Sequence, residues 1–111
     1  MSNVIIADDN QDHVDCLKDL LTMEGHKVEA AFDGEEAIKI IREYVRQNLP
    51  IDLVITDMNM PKATGIEVAA AAKKAGAKRI IINSSHHYDI PPLEGVTIIS
   101  KMDILKEVGE F

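Results

Sequence analysis

The sequence has 111 residues, of which 46% are hydrophobic and 28% are charged, and its formal net charge is −7. This length suits one hydrophobic core in a soluble globular protein, while the negative charge disfavours direct binding to nucleic acid or to an anionic membrane. A single cysteine, Cys16, excludes an intramolecular disulfide, and without an apolar stretch of membrane-spanning length we expect a cytoplasmic protein.

Apolar runs alternate with segments of helical periodicity along the chain. In chain order they predict a strand at 3–9, a helix at 12–24, a strand at 27–32, a helix at 33–48, a strand at 51–56, a helix at 65–76, and strands at 79–84 and 96–100. Asp33 is the expected N-cap of the second helix, and Gly25 and Gly76 are expected to end the first and third. The tail 102–111 can form two helical turns at most.

The predicted strands are continuously apolar, which is typical of a parallel sheet covered on both faces. Five strands in this length favour an open doubly wound α/β sheet over a barrel, which needs about 250 residues. Sites in such sheets lie beyond the carboxyl ends of the strands. The residues that end each apolar run are therefore the candidate functional residues.

Polar side chains end four of the five runs. They are Asp8 and Asp9, Asp57, Ser84 and Lys101. Three neighbouring carboxylates repel one another, so one of them would be protonated unless a cation is present. Mg²⁺ prefers such oxygen ligands. With a metal ion and Lys101 to offset the charge of an incoming phosphoryl group, Asp57 becomes a candidate nucleophile for phosphoryl transfer.

The pattern resembles the receiver domain of two-component response regulators over nearly the whole chain. The matching features are the pair Asp8-Asp9, "DLVITDMNMP" at 52–61 followed by Gly65, Ser84 at the end of "IIINS", and Lys101 at the end of "VTIISK". The resemblance implies a single receiver domain over 1–111, with a flavodoxin-like five-stranded parallel sheet in the order 2-1-3-4-5.

The resemblance also implies a role for each matching residue. Asp57 would accept a phosphoryl group from a histidine kinase or phosphotransfer protein. Asp9 and Asp57 would bind Mg²⁺ directly, together with the backbone carbonyl of Asn59, and Asp8 would bind it through water. Ser84 would contact the phosphoryl oxygens, and Lys101 would pair with them. Such a protein is a phosphoacceptor with slow metal-dependent self-dephosphorylation rather than an enzyme.

Plainer interpretations exist for each of these residues. Asp8 and Asp9 could cap the following helix, and Asp57 could be an ordinary turn residue. A shift of one residue would place Ser85 rather than Ser84 in the pocket. Lys101 could be a solvated surface lysine.

The sequence departs from the family pattern near its C-terminal end. Pro91 and Pro92 stand where the family has a helix, so we expect that fourth helix to be short or absent. Ile98 replaces the usual tyrosine or phenylalanine, and Met102 replaces the proline that usually follows the lysine, which puts the expected cis peptide in doubt. We therefore expect an altered 84–111 face that binds an unidentified protein partner or self-associates.

Three functions remain open at this point. The first is a stand-alone receiver that signals through protein–protein contacts after phosphorylation of Asp57. The second is a phosphorylation-independent pseudo-receiver scaffold, which Ile98 and the missing helix favour. The third is a metal-dependent phosphatase, which Asn59 disfavours because such enzymes usually have an acidic residue two positions after the nucleophile.

Overall fold

The computed structural model describes residues 2–84, 93–101 and 103–109 of the protein. The strands are β1 (Asn3–Ala7), β2 (Lys27–Ala31), β3 (Leu53–Asp57), β4 (Arg79–Ser84) and β5 (Thr97–Ser100). The helices are α1 (Gln11–Met23), α2 (Gly34–Arg46), α3 (Gly65–Lys74) and α4 (Ile104–Gly109). These bounds agree with the sequence prediction to within a few residues at most ends.

Side-chain caps begin the first three helices. Asn10, Asp33 and Thr64 each accept a hydrogen bond from the backbone N–H three residues later, which satisfies one of the free donors of the first turn. The cap at Asp33 confirms the sequence prediction. The cap at Asn10 starts α1 one residue earlier than predicted, because the apolar periodicity becomes visible only at Val14.

The five strands form one parallel sheet in the order β2-β1-β3-β4-β5, which confirms the predicted fold. Asp57 pairs in register with Asn83, and Ser84 pairs with Ser100. The carboxyl ends of β3, β4 and β5 therefore lie side by side at one edge of the sheet.

Helices cover both faces of the sheet. On one face, α2 and α3 pack against alternate strand residues such as Ile5, Val54 and Ile82. On the other face, α1 and α4 enclose a second cluster that includes Leu53 and Ile104. Burial on both faces explains why the strands read as continuous apolar runs.

Two predictions fall outside the described residues. The proline-rich part of the crossover from β4 to β5, at 85–92, and Met102 after Lys101 both lie there. Described residues 93–96 lead into β5 through a turn in which Gly95 has a φ of 78°. Among the helices that the structure describes, none is long and apolar enough to cross a membrane.

Candidate functional site

Three carboxylates meet at the carboxyl edge of the sheet. Asp8 and Asp9 follow β1, and Asp57 is the last residue of β3. One oxygen from each of the three lies within 4.8 Å of the others, and among the described residues they form a group that could hold a metal ion. Asp8 and Asp57 are buried, whereas Asp9 is exposed.

Asp57 is held from two directions, and its residue is only 8% exposed. The backbone N–H of Met58 donates to Oδ1 at 2.8 Å. The ammonium of Lys101 donates to Oδ2 at 3.2 Å, across 44 residues of sequence. Lys101 therefore points toward the carboxylate cluster, and the surface-lysine interpretation does not describe its position.

Asp8 is bound at both of its oxygens. The backbone N–H of Asn10 donates to Oδ1 at 3.0 Å, and Nδ1 of His13 is in close contact with Oδ2. Asn10, rather than Asp8 or Asp9, caps α1. The plain interpretation of the acidic pair as helix caps is therefore wrong.

The pKa values of the two buried carboxyl groups are shifted in opposite directions. Burial alone would raise the pKa of Asp8, but hydrogen bonds from His13 and Asn10, with the charge of Lys101, hold that pKa below its usual value. Burial and the neighbouring charge of Asp8 raise the pKa of Asp57, although Lys101 and the Met58 amide act the other way. Asp57 is thus the carboxylate whose negative charge is least well compensated, and a cation at the cluster would relieve it.

The loop after β3 is held against the sheet edge by close backbone contact. A Cβ on Gly65 would lie 2.4 Å from the carbonyl oxygen of Asp57 and 2.8 Å from the Cα of Met58. The Gly65 N–H donates to the Met58 carbonyl at 2.8 Å. Asn59 lies in this loop with an exposed side chain. Gly65 therefore belongs to the site, because a residue with a side chain would not fit beside the backbone of Asp57.

Ser84 is the last residue of β4 and is buried at the same edge, 4% exposed. The alternative residue, Ser85, lies outside the described part of the chain. The structure thus brings the side-chain atoms of Asp8, Asp9, Asp57 and Lys101 close together, and strand register brings Ser84 to the same edge.

Sequence reasoning missed two residues beside the cluster, His13 and Asn83. Nε2 of His13 lies 3.3 Å from Nδ2 of Asn83, which is buried in β4. Oδ1 of Asn83 is buried and has no hydrogen-bond partner among the described residues. An asparagine inside an otherwise isoleucine-rich strand was the available signal.

The cluster fits a hard divalent cation. All its donor atoms are carboxylate oxygens, and one of the three carboxylates is exposed, so that water can complete a coordination shell. The partly exposed ammonium of Lys101 adds a positive charge beside Asp57.

A family model of the response regulator receiver domain matches residues 4–107. The chain therefore belongs to the receiver domain family of the response regulators of two-component systems.

Two relatives illustrate how much of a longer protein the chain resembles. It is 29% identical over 98 residues to the transcriptional regulatory protein CpxR of Escherichia coli (strain K12), covering 88% of this chain and 40% of CpxR. It is 36% identical over 94 residues to the CAI-1 autoinducer sensor kinase/phosphatase CqsS of Vibrio cholerae, covering 85% of this chain and 12% of CqsS. The chain thus spans less than half the length of these relatives.

Solved structures match the whole fold. A response regulator receiver domain protein from Clostridium thermocellum superposes with a TM-score of 0.79 at 26% identity, covering 99% of this chain and 93% of that one. The response regulator protein TrrA from Thermotoga maritima, solved in complex with Mg²⁺-BeF, gives 0.72 at 30% identity, covering 96% and 95%.

Proposed function

We propose that this chain is a receiver that accepts a phosphoryl group on Asp57 and signals through protein–protein contacts. The observation that supports this most directly is the position of the Asp57 carboxylate. It is buried, lies within 4.8 Å of carboxylate oxygens of Asp8 and Asp9, and contacts the Lys101 ammonium. In such a setting the Lys101 ammonium, together with a cation held by the three carboxylates, would neutralise the charge of an incoming phosphoryl group.

In the proposed reaction, an oxygen of the ionised Asp57 attacks the phosphorus of a phosphohistidine on a histidine kinase or phosphotransfer protein. The new O–P bond forms as the P–N bond breaks, and the electron pair of that bond leaves with the histidine nitrogen. The product is an acyl phosphate on Asp57. Its reaction with water returns the carboxylate and releases inorganic phosphate, so slow self-dephosphorylation is expected.

Mg²⁺ would supply charge neutralisation of the phosphoryl oxygens when bound. Asp9 and Asp57 would hold it directly, with the backbone carbonyl of Asn59, and Asp8 would hold it through water. The similarity to TrrA, whose solved structure contains Mg²⁺-BeF, and the all-oxygen donor set both support this choice of metal.

Two further residues would contact the phosphoryl group after transfer. The Lys101 ammonium, which pairs with Asp57 at 3.2 Å, would pair with the phosphoryl oxygens. The hydroxyl of Ser84, buried at the end of β4, would donate a hydrogen bond to them. Ser84 ends β4 and Lys101 follows β5, so both would report phosphorylation to the 84–111 face, where we propose that a protein partner or a second copy binds.

The first experiment is intact-mass spectrometry with peptide mapping after incubation with acetyl phosphate and Mg²⁺. We expect a phosphoryl-sized mass increase on Asp57 that requires Mg²⁺ and is absent from Asp57→Asn. The matched control is Asp12→Asn, which removes an exposed carboxylate one residue before His13 and should be phosphorylated normally.

The absence of any adduct on folded wild-type protein would contradict the proposal. It would favour the phosphorylation-independent scaffold instead. An adduct that persists in Asp57→Asn would assign the acceptor to another residue and would contradict the proposal equally.

A further inference from the structure

His13 occupies the third position of α1 and is fixed there by the helix cap. Its backbone N–H donates to Oδ1 of Asn10 at 3.2 Å. Side chains on a helix tilt toward its N-terminus, so the imidazole of a residue in the first turn points back toward the end of β1. This is where Asp8 lies, and the direction of the ring follows from the way the helix begins.

The imidazole connects two strands. Nδ1 contacts Oδ2 of Asp8 after β1, and Nε2 lies 3.3 Å from Nδ2 of Asn83 in β4. The carboxylate of Asp8 can only accept, so Nδ1 of His13 carries a proton and donates to it. The side chain of Asn83 lies against the other ring nitrogen and limits rotation of the imidazole.

Packing alone does not explain why a polar side chain is buried at position 83. It is 1% exposed, it lies next to Ile82 in β4, and its Oδ1 has no partner among the described residues. A buried polar atom without a partner is unfavourable, and each such atom needs a reason to be retained. The other atom of the amide, Nδ2, lies 3.3 Å from Nε2 of His13, so the Asn83 side chain is directed at the imidazole.

We infer that His13 is a positioning residue for Asp8, and that Asn83 fixes the imidazole so that the Asp8 carboxylate is held in one orientation at the metal site. The inference rests on the proposed function, because it assigns His13 a role in Mg²⁺ binding. With one donor fixed to each oxygen of Asp8, the remaining lone pairs point in set directions. Partners of this kind set the affinity of metal sites without touching the metal.

The test compares three substitutions of His13. His13→Asn places an amide nitrogen at the same distance from the backbone as Nδ1, so it keeps the donor to Asp8. His13→Gln places one at the distance of Nε2, so it keeps the atom that faces Asn83. His13→Leu keeps only the apolar volume. The Mg²⁺ dissociation constant is measured by isothermal titration calorimetry, and the melting temperature in EDTA reports folding.

We expect the dissociation constant to rise about tenfold in His13→Leu and His13→Gln, and by less than about threefold in His13→Asn, which keeps the donor to Asp8 but loses the contact with Asn83. Phosphorylation by acetyl phosphate should need more Mg²⁺ in the weakened variants and should approach the wild-type rate when Mg²⁺ is saturating. A role in packing alone would not produce this split. If His13→Leu does not fold, the comparison of the asparagine and glutamine variants gives the answer.

Wild-type affinity in His13→Leu, or equal weakening in all three variants, would overturn the inference. In either case an adduct on wild-type Asp57 leaves the proposed function standing. If the wild-type protein neither binds Mg²⁺ nor forms the adduct, the proposed function fails and the role of His13 fails with it.

Discussion

Strands β3 and β5 both end at the site, but the protein supports them very differently. Every residue of β3 is buried, and Asp57 at its end is fixed by the Met58 amide and by the close approach of Gly65. In β5, Thr97 is exposed and the other three residues are only partly buried. The side chain of Lys101, which follows β5, is 33% exposed and reaches the site through one ion pair.

The difference indicates a division between a rigidly held proposed acceptor, Asp57, and an adjustable cation, the ammonium of Lys101. Backbone packing fixes the position of Asp57, whereas rotation of one long side chain can move the Lys101 ammonium. A phosphoryl group on Asp57 would therefore be accommodated from the β5 side, where Ile98 and Ile99 pack only partly into the two cores. Substitutions on the two sides should have correspondingly different effects.

Gly65→Ala should have the largest effect, because it acts on the rigid side. Its Cβ would meet the backbone of Asp57 and Met58 rather than a flexible side chain, so the loop or the strand end must move. We expect the free energy of unfolding, measured by urea denaturation, to fall by about 3 kcal/mol. Phosphorylation by acetyl phosphate should also slow, since Asp57 moves with the strand end.

The matched control is Gly109→Ala, the same change at the end of α4, where an added Cβ meets nothing within 4 Å. Unfolding free energy should change by less than about 1 kcal/mol there, and phosphorylation should be unaffected. Similar losses in both variants would show that backbone space beside Asp57 is not what fixes the acceptor.

Ile104→Ala should have the next largest effect and acts on the adjustable side. Ile104 is fully buried between α4 and α1, and α4 is a short helix at the edge of the core. We expect a loss of about 2 kcal/mol in unfolding free energy, at the low end for isoleucine because a short terminal helix can shift to close the cavity.

Leu105→Ala provides the comparison for this substitution, because Leu105 is the next residue of α4 and is 44% exposed. Its effect on stability should be below about 0.5 kcal/mol. Phosphorylation of Asp57 should survive in Ile104→Ala if the acceptor depends on β3 alone. Loss of the adduct in a folded Ile104→Ala protein would break the proposed division between the two sides.

The sequence predicts the rigid side well because local signals determine it. The apolar run of β3 ends at Asp57, and Gly65 stands where the family pattern has a glycine. Strand order follows from the alternation of strands and helices together with the family resemblance. The predicted strand at 79–84 has the bounds observed for β4.

Contacts across the sheet could not be predicted in the same way. The contact of His13 with Asn83 spans 70 residues, and it depends on which face of α1 turns toward the sheet. The periodicity of α1 is set by Val14, Leu17 and Leu21, which fix the buried face but say nothing about a polar residue at its margin. Asn10 was missed as a cap for a related reason, since the preceding acidic pair is an equally plausible cap in sequence.

Asp57→Asn should have the smallest effect on stability, and in the opposite direction. The pKa of Asp57 is raised in the folded protein, so ionisation of this carboxyl favours the unfolded chain at neutral pH. Asparagine has the same shape without the charge. In EDTA at pH 7, we expect urea denaturation to give an unfolding free energy higher by about 1 kcal/mol in the variant.

Two further observations make this prediction specific to the charge at Asp57. The gain in unfolding free energy should shrink as the pH falls from above the pKa of Asp57 in the folded protein to below its pKa in the unfolded chain. At the lower pH the Asp57 carboxyl is neutral in both states, so its charge no longer affects stability. Mg²⁺ should stabilise the wild type and leave Asp57→Asn nearly unchanged, while Asp12→Asn should follow the wild type throughout. A loss of stability in Asp57→Asn in EDTA would mean that the ion pair with Lys101 outweighs the burial of Asp57 and its repulsion by Asp8. The Lys101 ammonium would then be held as firmly as the Asp57 carboxylate, and the contrast between the ends of β3 and β5 would not hold.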